Sequence, residues 1–282
     1  MIPSAFEYAR PESLDEAIRL VSEGGEDAKL LAGGHSLLPL MKLRLAAPSL
    51  LVDLRHVPGL AGIQREDGTF RVGAMTTHHG VAIGGLGLAS KASVTIADQQ
   101  VRNRGTIGGT LAHGDPASDM PAVLLAMEGS VTVTGTDGAR EVAAGDLFEA
   151  FLTTAVGDGE ILTEVRVPAL NGYGTGYQKF NRRQEDWAMV AVCALVKKGS
   201  DGSCEDVRIG LTHMSDVPLR ASAAEEALRG QPLDPERIAA AAEQAAEGTE
   251  PPADLNASAD YKRHLARVLC RRALEEAAAG AA

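Results

Sequence analysis

The chain has 282 residues and a net charge of −11, with 45% hydrophobic and 23% charged residues. This is ordinary globular composition, long enough for two modest domains or one large one. The acidic balance and the lack of a Lys/Arg stripe argue against nucleic-acid binding, and no apolar run reaches the roughly 18 residues of a membrane span. Met1-Ile2-Pro3-Ser4 opens no basic-then-apolar leader, so no secretory signal is read and a cytoplasmic location is expected. Cys193, Cys204 and Cys270 form no C-x-x-C pair, and the seven histidines form no H-E-x-x-H. No metal centre is therefore expected on this chain, and the thiols are read as buried or incidental in a reducing compartment.

Residues 11–24 read as an amphipathic helix. Ser13 caps it, Glu16 completes a capping box, Leu14, Ile18, Leu20 and Val21 form its apolar face, and Gly24-Gly25 stop it. Residues 28–32 are a short strand ending in the turn Ala32-Gly33-Gly34-His35-Ser36. The apolar stretch from Leu37 to Leu45 predicts a helix, and 50–54 a buried strand. This β–turn–α–β order predicts a small parallel unit. Strands follow at 69–74, 130–134 and 160–167, separated by turns such as Thr136-Asp137-Gly138 and Gly157-Asp158-Gly159. Helices are predicted near 90–102 and 119–128, with a second diglycine segment, Thr106-Ile107-Gly108-Gly109-Thr110, between them. That placement is not the strand–GxGxxG–helix arrangement of a Rossmann fold. Loop chemistry at 168–175 predicts a domain boundary. Beyond it come strands near 176–181, 188–198 and 205–213, then alanine- and glutamate-rich helices at 219–229, 234–247 and 258–278 with Leu and Ile at helical spacing.

The two diglycine segments, about 75 residues apart, carry the strongest chemical signal. Gly-Gly turns flanked by Ser or Thr let backbone N–H groups approach phosphate oxygens. Two in one domain point to a ligand with two phosphates held from both sides, a dinucleotide. Asp119 opens the 119–128 helix and reads either as a helix cap or as an acceptor for a ligand hydroxyl or amide. His35 reads as a hydrogen-bonding or packing residue, with covalent flavin attachment as the alternative. Trp187, the single tryptophan, is a boundary aromatic or a plate beside a planar ring. Arg182-Arg183 is a solvated pair or a contact for an acidic partner surface. No Ser–His–Asp order, G-x-S-x-G or P-loop occurs, so an electron carrier fits better than a complete enzyme.

The segments AGGHSLLPLMKLRLAAP (32–48), IADQQVRNRGTIGGTLAHGDPASDMPA (96–122) and KFNRRQEDWA (179–188) resemble the FAD-binding medium subunits of molybdenum hydroxylases. The carbon monoxide dehydrogenase branch is the best match, and the resemblance spans essentially the whole chain. It implies an α+β chain. A two-part FAD-binding domain of the vanillyl-alcohol-oxidase (PCMH) type would cover 1–172, with subdomains near 1–55 and 56–172. A C-terminal α+β domain with a three-stranded antiparallel sheet and helices would cover 173–282. The resemblance further implies that Lys29, Leu30, Leu31, Ala32, Gly33, Gly34, His35 and Ser36, with Thr106, Ile107, Gly108, Gly109 and Thr110, wrap the pyrophosphate and ribityl chain of a non-covalent FAD. Asp119 and Lys179 would make polar contacts to it, and Ile96 and Leu162 would pack near its rings. Trp187 stands where the carbon monoxide branch carries a tyrosine beside the isoalloxazine, and Thr110 and His113 stand where asparagine is common. Molybdopterin would sit in a large partner subunit and two [2Fe-2S] clusters in a small one, the whole as a dimer of heterotrimers. Electrons would leave FAD for an acceptor such as quinone, which places the complex at the inner face of the membrane. The alternatives are a medium subunit of a hydroxylase acting on a purine, aldehyde or aromatic heterocycle, a free-standing flavin oxidase, and a partner module without FAD.

Overall fold

A computed structural model describes residues 2–281. The N-terminal unit runs β1 (Glu7–Ala9), α1 (Leu14–Gly24), β2 (Ala28–Leu31), α2 (Leu37–Leu43) and β3 (Leu50–Asp53). Its strands form a parallel sheet in the order β1-β3-β2, the small parallel unit expected from the sequence. Ser13 caps α1, its oxygen accepting the Glu16 amide at 3.1 Å, while the Glu16 carboxylate accepts the Glu12 amide at 2.9 Å, one residue earlier than a standard capping box requires.

The middle unit begins with β4 (Ile63–Glu66) and β5 (Thr69–Gly73). Five helices follow: α3 (His78–Ile83), α4 (Leu88–Ser93), α5 (Gln99–Arg102), α6 (Ile107–His113) and α7 (Asp119–Ala126). It ends with β6 (Ser130–Gly135), β7 (Gly138–Ala143), α8 (Ala144–Leu147), the β8 (Phe148–Ala150) and β9 (Thr153–Thr154) pair, and β10 (Ile161–Pro168). Its antiparallel sheet has the order β4-β5-β10-β6-β7. The single helix expected over 90–102 is two. The first ends at Ser93, Ala97 takes φ +42° in the link that follows, and Asp98 caps the second by accepting the Val101 amide at 2.8 Å. The second diglycine segment is not a free turn, because Thr106 caps α6 and both glycines lie in its first turn.

The C-terminal unit comprises β11 (Tyr173–Phe180), β12 (Val190–Lys198), β13 (Cys204–Thr212), β14 (Leu219–Arg220), α9 (Ser222–Leu228), α10 (Pro235–Glu243) and α11 (Ala259–Gly280). Its antiparallel sheet has four strands rather than the expected three. Leu219 and Arg220 pair with Leu211 and Gly210 instead of starting a helix, so α9 begins at Ser222.

Three apolar cores hold these units. One joins α1 to β3 through Ala17, Ile18, Val52 and Leu54, and Ile161 of β10 enters it, tying the first sheet to the second. A second, larger core packs α4, α6 and α7 against the middle sheet and one face of β12, through Ala191, Cys193 and Leu195. The third covers the opposite face of β12, Val190, Val192, Ala194 and Val196, with α9 to α11. Strand β12 is therefore apolar at nearly every position because both its faces are covered.

The alanines of α11 have a steric reason. Gly174 and Gly176 lie on one face of β11 and admit the helix backbone itself. A Cβ on Gly176 would stand 2.8 Å from the Ala273 carbonyl carbon and collide with its oxygen. Lys91 of α4 closes the same seam, its Nζ 2.8 Å from Glu276 Oε1. Gly176→Val is expected to cost about 3 kcal/mol or more, because the clash is with backbone that cannot swing aside. Urea unfolding measures this, and an unchanged midpoint would show that the helix is not seated on β11 as described.

Candidate functional site

The first diglycine segment leaves β2 and turns before α2, with Gly34 at φ +79° in the left-handed region that favours glycine. Gly33 touches the second segment directly. A Cβ there would lie 2.7 Å from Gly105 Cα and strike the Arg104 carbonyl oxygen. A Cβ on Gly109 would sit 3.3 Å from Ala32 Cβ. The two segments thus pack backbone to backbone. Between them opens a cleft of about 430 Å³. Lys29, Leu30, Ala32, Gly33, Gly34, His35 and Ser36 line one wall, and Thr106, Gly108, Gly109 and Thr110 the other, with Leu162 at the back.

A platform formed by residues 74–78 holds the second wall from behind. Ala74 O accepts the Gly108 amide at 2.8 Å, Thr76 O accepts the Ile107 amide at 3.0 Å, and Gly105 O accepts the His78 amide at 2.9 Å. Gly108 is required here, since a Cβ would lie 2.8 Å from Ala74 Cα. The Gly109 amide goes to Thr106 Oγ1 at 3.1 Å. The amides of the second diglycine are therefore spent within the protein, contrary to the expectation that both bends offer them to a ligand. The amides of Gly33, Gly34, His35 and Ser36 find no protein acceptor among the described residues. A concave turn of unpaired N–H groups suits an anion such as a diphosphate. Leu30, Leu40, Leu54 and Ile161 give the same cleft an apolar side. This donor set and its apolar side fit a flavin dinucleotide.

Behind the second wall lies His78, 3% exposed. Its Nε2 is 3.0 Å from Thr110 Oγ1, and its Nδ1 has no partner. Burial, with His35 and Arg102 nearby, pushes its pKa down to about 4.

Other predicted residues gather elsewhere. Asp119 does not cap α7, a position that Ser118 occupies. Its buried carboxylate accepts the Tyr177 hydroxyl and pairs with Lys179 Nζ at 3.0 Å. Lys179 also donates to Thr95 O at 3.3 Å, beside Ile96. Ile96, Asp119 and Lys179 thus form a second cluster at the seam of α4, α7 and β11. Burial first, then the Asp119 charge, raises the Tyr177 pKa well above its usual range, so this phenol stays protonated. Trp187 stands apart, 55% exposed on the loop between β11 and β12. Leu31 and Ile107 are buried and pack beneath the loops rather than line the cleft. Sequence reasoning missed Met75, Gly105 and the run from Gly157 to Ile161, all of which line it. The Gly157-Asp158-Gly159 turn was visible, but nothing local ties it to the cleft. Among the described residues, no group of three His, Cys, Asp or Glu is placed to hold a metal, and no helix is long and apolar enough to cross a membrane.

His78 makes stability depend on pH. Its folded-state value, about 4, lies below the unfolded value near 6.5, so the unfolded chain binds more protons between them. Stability is unaffected above that window and falls as pH drops through it, by roughly 3 kcal/mol in all. Denaturant titrations at several pH values should show that slope, and His78→Leu should remove most of it. A slope unchanged in the variant would contradict this account.

Residues 4–170 match the family described as the FAD binding domain in molybdopterin dehydrogenase, and residues 175–277 match the CO dehydrogenase flavoprotein C-terminal domain. The carbon monoxide dehydrogenase medium chain of Afipia carboxidovorans is 43% identical over 288 residues, covering 100% of this chain and 99% of that one. The nicotine 6-hydroxylase medium subunit of Paenarthrobacter nicotinovorans is 40% identical over 280 residues, covering 98% of each. Among solved structures, a carbon monoxide dehydrogenase from Hydrogenophaga pseudoflava that lacks the Mo-pyranopterin moiety superposes with a TM-score of 0.96 at 43% identity, covering 100% of both chains. With its two glycine segments meeting in one cleft, this chain belongs to the family of FAD-binding medium subunits of molybdopterin dehydrogenases.

Proposed function

We propose that this chain is the FAD-carrying electron-transfer subunit of a molybdenum hydroxylase, and that the enzyme it serves is a carbon monoxide dehydrogenase. The observation that carries the reading is the packing of Gly33 against Arg104 and Gly105, which sets four unpaired amides facing a cleft. In this reading the amides of Gly33 to Ser36 take the diphosphate, with Lys29, Leu30, Leu31 and Ala32 holding the loop. Thr106 to Thr110 face the ribityl chain, and Leu162 packs near the rings. The seam of Ile96, Asp119 and Lys179 borders the flavin end, where the Lys179 ammonium and the Tyr177 hydroxyl hold the Asp119 carboxylate. In the same reading Trp187, which is 55% exposed, is the aromatic neighbour of the flavin rings. Bound FAD supplies a centre that accepts electrons singly and releases them in pairs.

The assembly follows from the same reading. A large molybdopterin subunit oxidises the fuel, and a small subunit with [2Fe-2S] clusters relays electrons to this chain, in a dimer of heterotrimers. Exposed Arg182 and Arg183 belong to the docking face for the cluster subunit. The complex is cytoplasmic and meets a quinone acceptor at the inner membrane face. Residues 1–172 form the FAD domain and 173–282 the C-terminal domain. The likeness to a nicotine 6-hydroxylase subunit supports one alternative, a hydroxylase acting on an aromatic heterocycle or similar substrate.

The isolated full chain is expected to take up FAD and to leave carbon monoxide unoxidised. Flavin reduction by carbon monoxide should appear only when both partner subunits are co-expressed with it. A chain that is indifferent to FAD, or that oxidises carbon monoxide unaided, overturns the proposal. Gly33→Ala must push the two segments apart, and should weaken FAD uptake roughly tenfold or more in a fluorescence titration.

A further inference from the structure

We infer that His78 is a positioning residue for the flavin site: its imidazole holds the Thr110 hydroxyl so that the hydroxyl proton faces the cleft, where it is donated to the bound dinucleotide. The inference rests on the FAD reading above and deepens it.

His78 Nε2 and Thr110 Oγ1 are 3.0 Å apart, and a hydroxyl and a neutral imidazole can each donate or accept. If the ring proton sat on Nδ1, Thr110 would donate to Nε2. The Nδ1–H would then be a buried donor with nothing to meet. If the proton sits on Nε2, the ring donates to Thr110 and only the Nδ1 lone pair is left bare. Orphaned buried N–H groups are rarer and costlier than under-used acceptors, so the second tautomer is assigned. Burial keeps the ring neutral at ordinary pH, so the assignment holds there.

With His78 as donor, Thr110 cannot point its own proton at the ring. No other protein acceptor meets that hydroxyl among the described residues, and Thr110 lines the cleft. Its proton therefore turns outward. This matters because the neighbouring amides of Ile107, Gly108 and Gly109 are already engaged. A side chain, rather than the backbone, supplies the donor on this wall. The ring is held in register twice over. The His78 amide donates to Gly105 O at 2.9 Å, and the missing Cβ of Gly105 leaves room for the imidazole, which a Cβ would meet at 2.9 Å.

The test is a double-mutant cycle on the FAD dissociation constant, measured by fluorescence titration of the full-length apo chain. Thr110→Val should weaken binding roughly tenfold, and Thr110→Ser should restore it. His78→Leu should weaken binding by a similar factor. The double variant should bind no worse than either single one, because both remove the same donor. His78→Gln, whose amide can still donate to Thr110, should recover most of the affinity. Additive losses in the double variant would show that His78 acts through general packing and overturn the inference. So would a Thr110→Val chain that binds like the parent, or a His78→Gln chain as weak as His78→Leu. A parent chain that takes up no FAD would instead sink the cofactor reading, and this inference with it.

Discussion

The contact between Gly33 and the Arg104–Gly105 backbone is the constraint on which the site depends. It brings a loop from the parallel N-terminal sheet against a helix start in the antiparallel middle unit. Neither segment alone makes a cleft. No side chain larger than hydrogen fits at Gly33, so the approach distance is set by main chain against main chain. The platform of residues 74–78 makes the approach rigid by taking up the amides of the second segment. The division of labour follows. One wall keeps its backbone donors free, and the other spends them on being held in place.

The same economy appears at the seam of α4, α7 and β11. A buried carboxylate there would be costly alone, but Asp119 has a phenol and an ammonium on its two oxygens. These partners come from β11, a strand of the C-terminal unit, while Asp119 belongs to the middle one. The buried polar contact therefore ties a helix of the middle unit to the C-terminal sheet, and Arg208 and Arg220 of the C-terminal unit add more exposed ion pairs to Glu128 of the middle one. Lys91 and Glu276 repeat the device on the far side of β11 with a more exposed pair.

Much of this was legible in the chain itself, for identifiable reasons. The first diglycine turn stands between a short apolar strand and an apolar helix, and each part announces its neighbour. The alanine-rich run at 258–278 keeps Leu265, Leu269 and Leu274 at helical spacing, and its small residues mark the close approach to Gly174 and Gly176. The edge strands were not legible. Residues Gly138–Ala143 are exposed except for Val142, so no alternation betrays the strand. The break between Ser93 and Gln99 has no glycine or proline to mark it, only Asp98 in a capping position. Asp119 looked like a cap because it is an acid at a helix start, but the N-cap position falls on Ser118, whose side chain makes no capping hydrogen bond. His78 gave no signal at all, because its meaning lies in a residue 32 positions away.

Strand β12 carries a consequence for how the molecule holds together. Its two faces feed different cores, one shared with α4, α6 and α7 of the middle unit and one with the terminal helices. The boundary between the two family matches near residue 170 is thus crossed by a shared core. Cutting the chain there strips a wall from the larger core and bares the apolar side of α7. Neither fragment keeps the larger core closed, so the two halves are expected to unfold as a single cooperative unit.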